Sequence, residues 1–205
     1  MSIVTYNNRS IANISAIPGA AKSLIHIKTL TASSSSTLSF VDGSDDVVLD
    51  STYPIYMFKY IGIHPATDGA QFQVGFRDGD TNYDATKTST FFKSQNREDG
   101  AGGSIGYETS HDLAQGTGFQ NLTQDIGNDN DQSISGELFI FNPSSTTFVK
   151  HFIAKSNSSA SNDRSFNDFI AGYCNVTAAI DAVQFKMSSG NIDAGTIKLY
   201  GLKDS

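Results

Sequence analysis

Two acidic turns are the first places in this chain where residue type and spacing could do chemistry. Asp78-Gly79-Asp80-Thr81-Asn82-Tyr83-Asp84 sets side-chain oxygens at alternate positions, loosely as a calcium loop does. It lacks a closing bidentate glutamate and follows a strand-like run rather than a helix. Hairpin-turn chemistry therefore accounts for it, and turn preferences favour that reading. Asn128-Asp129-Asn130-Asp131 repeats the pattern more ambiguously, and Asp42, Asp45 and Asp46 read as a solvated turn. Calcium at Asp78–Asp84 or Asp129–Asp131 stays open on spacing alone; no cofactor or metal is assigned.

The histidines are His26, His64, His111 and His151, and none has a zinc-site spacing. His26 and His151 fall in strand-like runs, where a half-buried structural role is the simpler account. His111-Asp112 is the one His/Asp neighbour pair, in a long loop, and no GxSxG elbow completes a triad. Cys174 is the single cysteine, which excludes an intrachain disulfide framework and a cysteine-based zinc cluster. It reads as a small buried hydrophobe. Glu98, Glu108 and Glu137 are the only glutamates, and spacing pairs none of them for acid–base work. No catalytic set emerges, so the chain is expected not to be an enzyme.

The elements that position these residues follow from composition. The chain has 205 residues and a net charge of −7, without a basic run, which argues against nucleic-acid binding. Charged residues are 17%, which disfavours a helical protein. The 14 Phe and 8 Tyr can build a core without many aliphatics. No run is apolar for long enough to suit a spanning helix, and Met1 to Ser10 has no hydrophobic signal region. Five Asn-x-Ser/Thr sequons, at Asn8, Asn13, Asn121, Asn157 and Asn175, read as compositional accidents.

Residues 1–21, with Pro18-Gly19 and no sustained period, read as an N-terminal arm that docks on something. Residues 22–205 read as one β domain. Strands are predicted at 22–31, 36–41, 55–63, 70–77, 88–94, 135–141, 146–155, 165–176, 181–187 and 195–202. Alternation and Asp-Gly, Asn-Pro and Ser-Gly-Asn turns separate them. Short strands between turns predict an all-β fold, an antiparallel β-sandwich of jelly-roll type. A Gly-rich polar stretch at about 95–134 reads as a long loop, with a short extra strand near Ile105–Thr109; its readings are a functional or interfacial element and a surface insertion. Residues 55–63 are apolar on both faces: Tyr56, Phe58 and Tyr60 on one, Ile55, Met57, Ile61 and Ile63 on the other. The second face is expected to be covered by the long loop or by another protomer.

The most specific stretch is the C-terminal AVQFKMSSGNIDAGTIKLYGLK, residues 182–203. It resembles the closing hairpin of β-sandwich virion proteins from tailed bacteriophages, marine and cyanobacterial ones especially. Residues 22–40, 62–76 and 127–145 are similar to the same group, and TYNNRSI (5–11) resembles the attachment end of fibre or appendage subunits. The resemblance is one of pattern over most of the chain, with no catalytic motif in it. It implies a non-enzymatic virion structural protein: a short fibre, appendage or decoration subunit on the particle surface. It also implies a homo-oligomer, a trimer by preference, docked to other virion proteins through residues 1–21. A host-surface glycan is a further candidate contact, at no located site, and no membrane insertion is expected. The alternative is a monomeric carbohydrate-binding module of a bacterial surface or secreted protein. The missing signal region and missing Trp count against it. A glycan depolymerase, which would need paired carboxylates, is the remote third.

Overall fold

The computed structural model describes residues 23–203, so the expected arm, 1–21, lies outside the described residues. Every regular element among the described residues is a strand. In order they are β1 (Leu24–Thr31), β2 (Leu38–Val41), β3 (Ile55–Pro65), β4 (Phe72–Arg77), β5 (Lys87–Arg97) and β6 (Ser104–Tyr107). Then come β7 (Gln120–Asn121), β8 (Ile134–Phe141), β9 (Lys150–Ser159), β10 (Arg164–Cys174), β11 (Ala182–Met187) and β12 (Ile192–Leu202). One sheet has eight strands in the order β1-β12-β3-β8-β9-β10-β5-β6; the other has four, β2-β11-β4-β7. All paired neighbours are antiparallel. The all-β sandwich expected from the sequence is the fold observed.

The alternation of β9 shows why these residues make strands. Lys150, Phe152, Ala154, Ser156 and Ser158 are buried, while His151, Ile153, Lys155 and Asn157 are exposed. A two-residue period puts each set on its own face. The predicted strand at 146–155 begins too early. Phe148 lies in the connection before β9 and is 74% exposed.

β3 departs from the expected alternation. Tyr56, Phe58 and Tyr60 are fully buried, as their face requires, but so is Ile63, which the period places on the other face. The pairing register with β8 shifts between Tyr60 and Ile63, and Gly62 sits at φ 56. The extra residue flips the strand, so Ile63 joins the core face. Opposite it in β12, Gly195 has φ 114, and a Cβ there would come within 2.6 Å of the Gly62 carbonyl oxygen. Only glycine fits at that paired irregularity.

The four-stranded sheet covers one half of the long sheet with aromatic rings. Phe40, Phe72 and Phe185 on β2, β4 and β11 meet Phe58 and Tyr60 of β3 at centroid distances of 5.2 to 5.5 Å, and Phe72 stacks on Phe185 at 5.6 Å. Phe76 meets Phe152 of β9 at 5.2 Å.

The stretch at 95–134 is a wall of the sandwich rather than a surface insertion. It contributes β6 to the edge of the long sheet and β7 to the edge of the short one. From β7 onward the chain runs across the inner face of β5, β10 and β9. Gln120, Leu122, Thr123, Ile126 and Gln132 are buried there. The loop therefore does not cover the outer face of β3. Met57 is 5% exposed on that face, between its cross-strand neighbours Tyr200 and Phe139, while Ile61 is 48% exposed.

Candidate functional site

Ionisable groups collect where the 108–126 segment lies on β5 and β10. Asp168 and Lys93 are cross-strand partners pointing inward. Lys93 Nζ donates to Gln124 Oε1 at 2.5 Å and pairs with Glu108 Oε2 at 2.8 Å. The hydrogen bond from Lys93 holds the Glu108 carboxyl below its ordinary range. Ser110 Oγ donates to Glu108 Oε1 at 3.0 Å and lies 2.8 Å from His111 Nδ1. The His111 ring packs on Phe91 at 5.2 Å, and burial lowers its affinity for a proton.

Asp168 is the anomalous member. It is fully buried; Oδ2 accepts the Gln124 backbone N–H at 3.1 Å, and Oδ1 has no hydrogen-bond partner. Burial pushes its pKa up to about 7, against the pull of the Gln124 bond. Around it Tyr60 Oη and Ser156 Oγ lie 2.5 Å apart, and Thr123 Oγ1 and Ser158 Oγ 2.9 Å apart.

A raised carboxyl beside a histidine and a lysine has the composition of acid–base machinery. Its connections are those of a strut. Ser110 has one hydroxyl hydrogen, directed to Glu108, so Glu108 does not orient His111 as a triad acid would. Asp112 accepts from Tyr107 Oη at 2.6 Å, so the His111-Asp112 pair makes no dyad. Lys93 is already bonded to both Glu108 and Gln124. The network ties the returning segment to the sheet.

At one end of the sandwich the inward row is Lys87, Cys174 and Lys150 on adjacent strands, all fully buried. Lys150 Nζ donates to the carbonyls of Ser145, Val176 and Ala178 at 3.1, 2.7 and 2.5 Å. Lys87 Nζ donates to the Ala85 carbonyl at 2.5 Å. Each ammonium thus gathers loop carbonyls that the sheets leave unpaired. Burial raises the Cys174 thiol to about 12, so it is inert at neutral pH, as its reading as a small hydrophobe requires. Hydropathy alone hid both lysines; only their places in alternating strands mark them as inward.

The acidic turns separate. Asp78, Asp80 and Asp84 bring one carboxylate oxygen each within 4.8 Å of the others, the one such triple among the described residues, and could hold a divalent cation. The same turn is braced as a hairpin turn is, by the Asn82 N–H on Asp80 Oδ1 at 2.6 Å. Residues 128–131 form no such triple; the Asp129 carbonyl accepts from or faces His64 Nε2 at 3.2 Å, and the Asp129 N–H reaches Gln132 Oε1. Asp42 Oδ1 accepts the Leu49 N–H at 2.8 Å, so the third turn is structural. His26 lies 2.7 Å from Thr29 Oγ1, against the edge of Tyr200.

The outer face of the long sheet carries what sequence reading left unplaced. Leu24 on β1, Ile61 on β3, Phe92 on β5, Ile105 and Tyr107 on β6, and Ile153 on β9 are all exposed by 41% or more. Phe92 stacks on Phe169 of β10 at 5.0 Å with the rings 8° apart, and Tyr107 is its cross-strand partner on β6. β6 is exposed throughout and ends the sheet. No family model, curated protein or solved structure matches this chain.

Proposed function

We propose that the protein is a non-enzymatic structural subunit that assembles with copies of itself through the outer face of its eight-stranded sheet at the β5–β6 end. The carrying observation is the run Phe169, Phe92, Tyr107 and Ile105, which crosses three neighbouring strands and ends on an edge that no described strand pairs with. Monomeric proteins break up exposed apolar patches and guard sheet edges with charge, proline or a covering loop. Here β6, Ser-Ile-Gly-Tyr, has no charge or proline, and no described residue covers it. A second copy supplies both an apolar face and strand partners for the open backbone groups. The resemblance to tailed-phage virion proteins puts such a subunit on the particle surface, as a short fibre, appendage or decoration protein. In that reading the domain is of jelly-roll type, copies form a trimer, and residues 1–21 hold it to the particle. The interlocked ionisable network supports a non-catalytic role.

Solution mass tests this on the full chain, on a chain lacking residues 1–21, and on the full chain carrying Phe92→Lys with Ile105→Lys. The first two are expected to be the same oligomer and the third a monomer that still unfolds in one cooperative transition, at a lower melting temperature because association no longer stabilises it. A monomeric full chain would sink the self-assembly reading and favour a monomeric binding module.

A further inference from the structure

We infer that the groove between the β8–β9 connection and the outer face of the sheet binds a neutral hexose-type glycan. It is an open groove of about 640 Å³, within the range of small-ligand sites, and lies on β8, β9 and their connection, whereas the assembly patch lies on β10, β5 and β6. The inference therefore places the glycan contact and stands apart from the assembly reading.

Four features carry it. The first is an exposed ring on a rigid mount. Phe148 is 74% exposed, yet its own N–H and that of Thr147 donate to Ser145 Oγ at 3.1 and 3.3 Å. Beneath the loop, Lys150 Nζ holds the Ser145 carbonyl. A loop backbone fixed this way loses little conformational freedom on binding, which favours affinity.

The second is uncommitted hydrogen-bonding capacity. The side chains of Asn142, Ser144, Thr147 and His151 line the groove and bond to no described residue. Together they offer donors and acceptors of both kinds. The third is charge: no Asp, Glu, Lys or Arg lines the groove. Phosphates, sulfates and acidic sugars would be desolvated there without a counter-charge. The fourth is backbone shape. Asn142 is held at φ 44, with its N–H on the Pro54 carbonyl at 2.8 Å. Asn tolerates this left-handed backbone, so the turn holds the residue in one place at the groove.

A hexose is the ligand class that matches this set. Its ring has one C–H face, which an aromatic ring covers, and a rim of neutral hydroxyls that both donate and accept. A purely apolar occupant would strand the four polar side chains, and a charged one would find no partner.

The test is calorimetric titration of the full-length protein with lactose, maltotriose, mannotriose and chitotriose as neutral probes, and sialyllactose as the anionic one. At least one neutral probe is expected to bind, with affinity about tenfold lower in Phe148→Ala and in Asn142→Ala, the scale of one lost aromatic or bidentate contact. Phe148 is exposed, so the melting temperature should hold. No binding of any neutral probe at millimolar concentration would overturn the inference. So would binding unchanged in Phe148→Ala, or sialyllactose bound more tightly than lactose. Solution mass of the same samples reads the assembly proposal independently: a glycan-binding monomer overturns assembly alone, and a non-binding oligomer overturns the groove alone.

Discussion

The two halves of this sandwich are closed by different physics. Between the sheets, Phe40, Phe58, Phe72 and Phe185 interlock ring against ring. Under the 108–134 segment the contacts are polar: Ser89 donates to Gln120, Gln120 to the His111 carbonyl, and Gln132 to the Ala160 carbonyl. A sheet presents its own paired backbone to the core and needs only apolar side chains to close the gap. A returning loop brings unpaired N–H and C=O groups with it, and each must find a partner. Hence the second half spends lysines, glutamines and serines where the first uses phenylalanines. The first half should fail by loss of volume and the second by loss of partners.

Three changes would break or sharpen that contrast. The largest effect is expected in the aromatic half. Phe185→Ala removes a ring that touches Phe40, Phe58 and Phe72, and should cost about 3–5 kcal/mol in urea unfolding. A loss under about 1 kcal/mol would mean that the sheets collapse onto the gap, and would end the claim that ring volume holds this half.

At the end of the sandwich where the loops after β8 and β10 return, Lys150→Met keeps most of the volume and removes the donor shared by three carbonyls. About 2–3 kcal/mol of destabilisation is expected, the scale of leaving buried acceptors unpaired. Should Lys150→Met prove neutral, desolvation of the ammonium would already offset its bonds, and the strut reading of that lysine would fall.

The third effect is a pH dependence. Asp168 holds its proton more tightly folded, at about 7, than unfolded, at the ordinary aspartate value. The folded state therefore binds more protons between those limits, so stability falls as pH rises from about 4 to about 7 and the penalty is complete above 7. Asp168→Asn cannot ionise, so that part of the slope should vanish and the variant's stability relative to the wild type should rise by about 2–3 kcal/mol between pH 5 and pH 8. Denaturant midpoints at pH 5 and pH 8 for both proteins measure it. Parallel profiles would mean that Asp168 is ionised at both pH values, with Lys93 as its effective partner.

Much of the fold was legible because it rests on local pattern. Alternation in residues 72–76 and 182–187 located β4 and β11, and Asp-Gly and Asn-Pro turns bounded their neighbours. The two-residue β7 escaped notice because so short a strand carries no period. Ile63 was misplaced because a bulge is a one-residue insertion whose only local trace is Gly62. Asp78, Asp80 and Asp84 were visible as a turn, but their convergence needed coordinates.

What the sequence determined by itself is therefore the all-β class, most strand positions and the lack of a catalytic motif, since backbone period and turn chemistry act within a few residues. Tertiary structure alone decided the rest. It set which apolar face stays open, which carbonyls Lys87 and Lys150 meet, that 108–134 is a wall, and that Asn142, Phe148 and His151 share a groove. Each of those depends on which strands become neighbours, and pairing between residues far apart in the chain leaves no signature in local pattern.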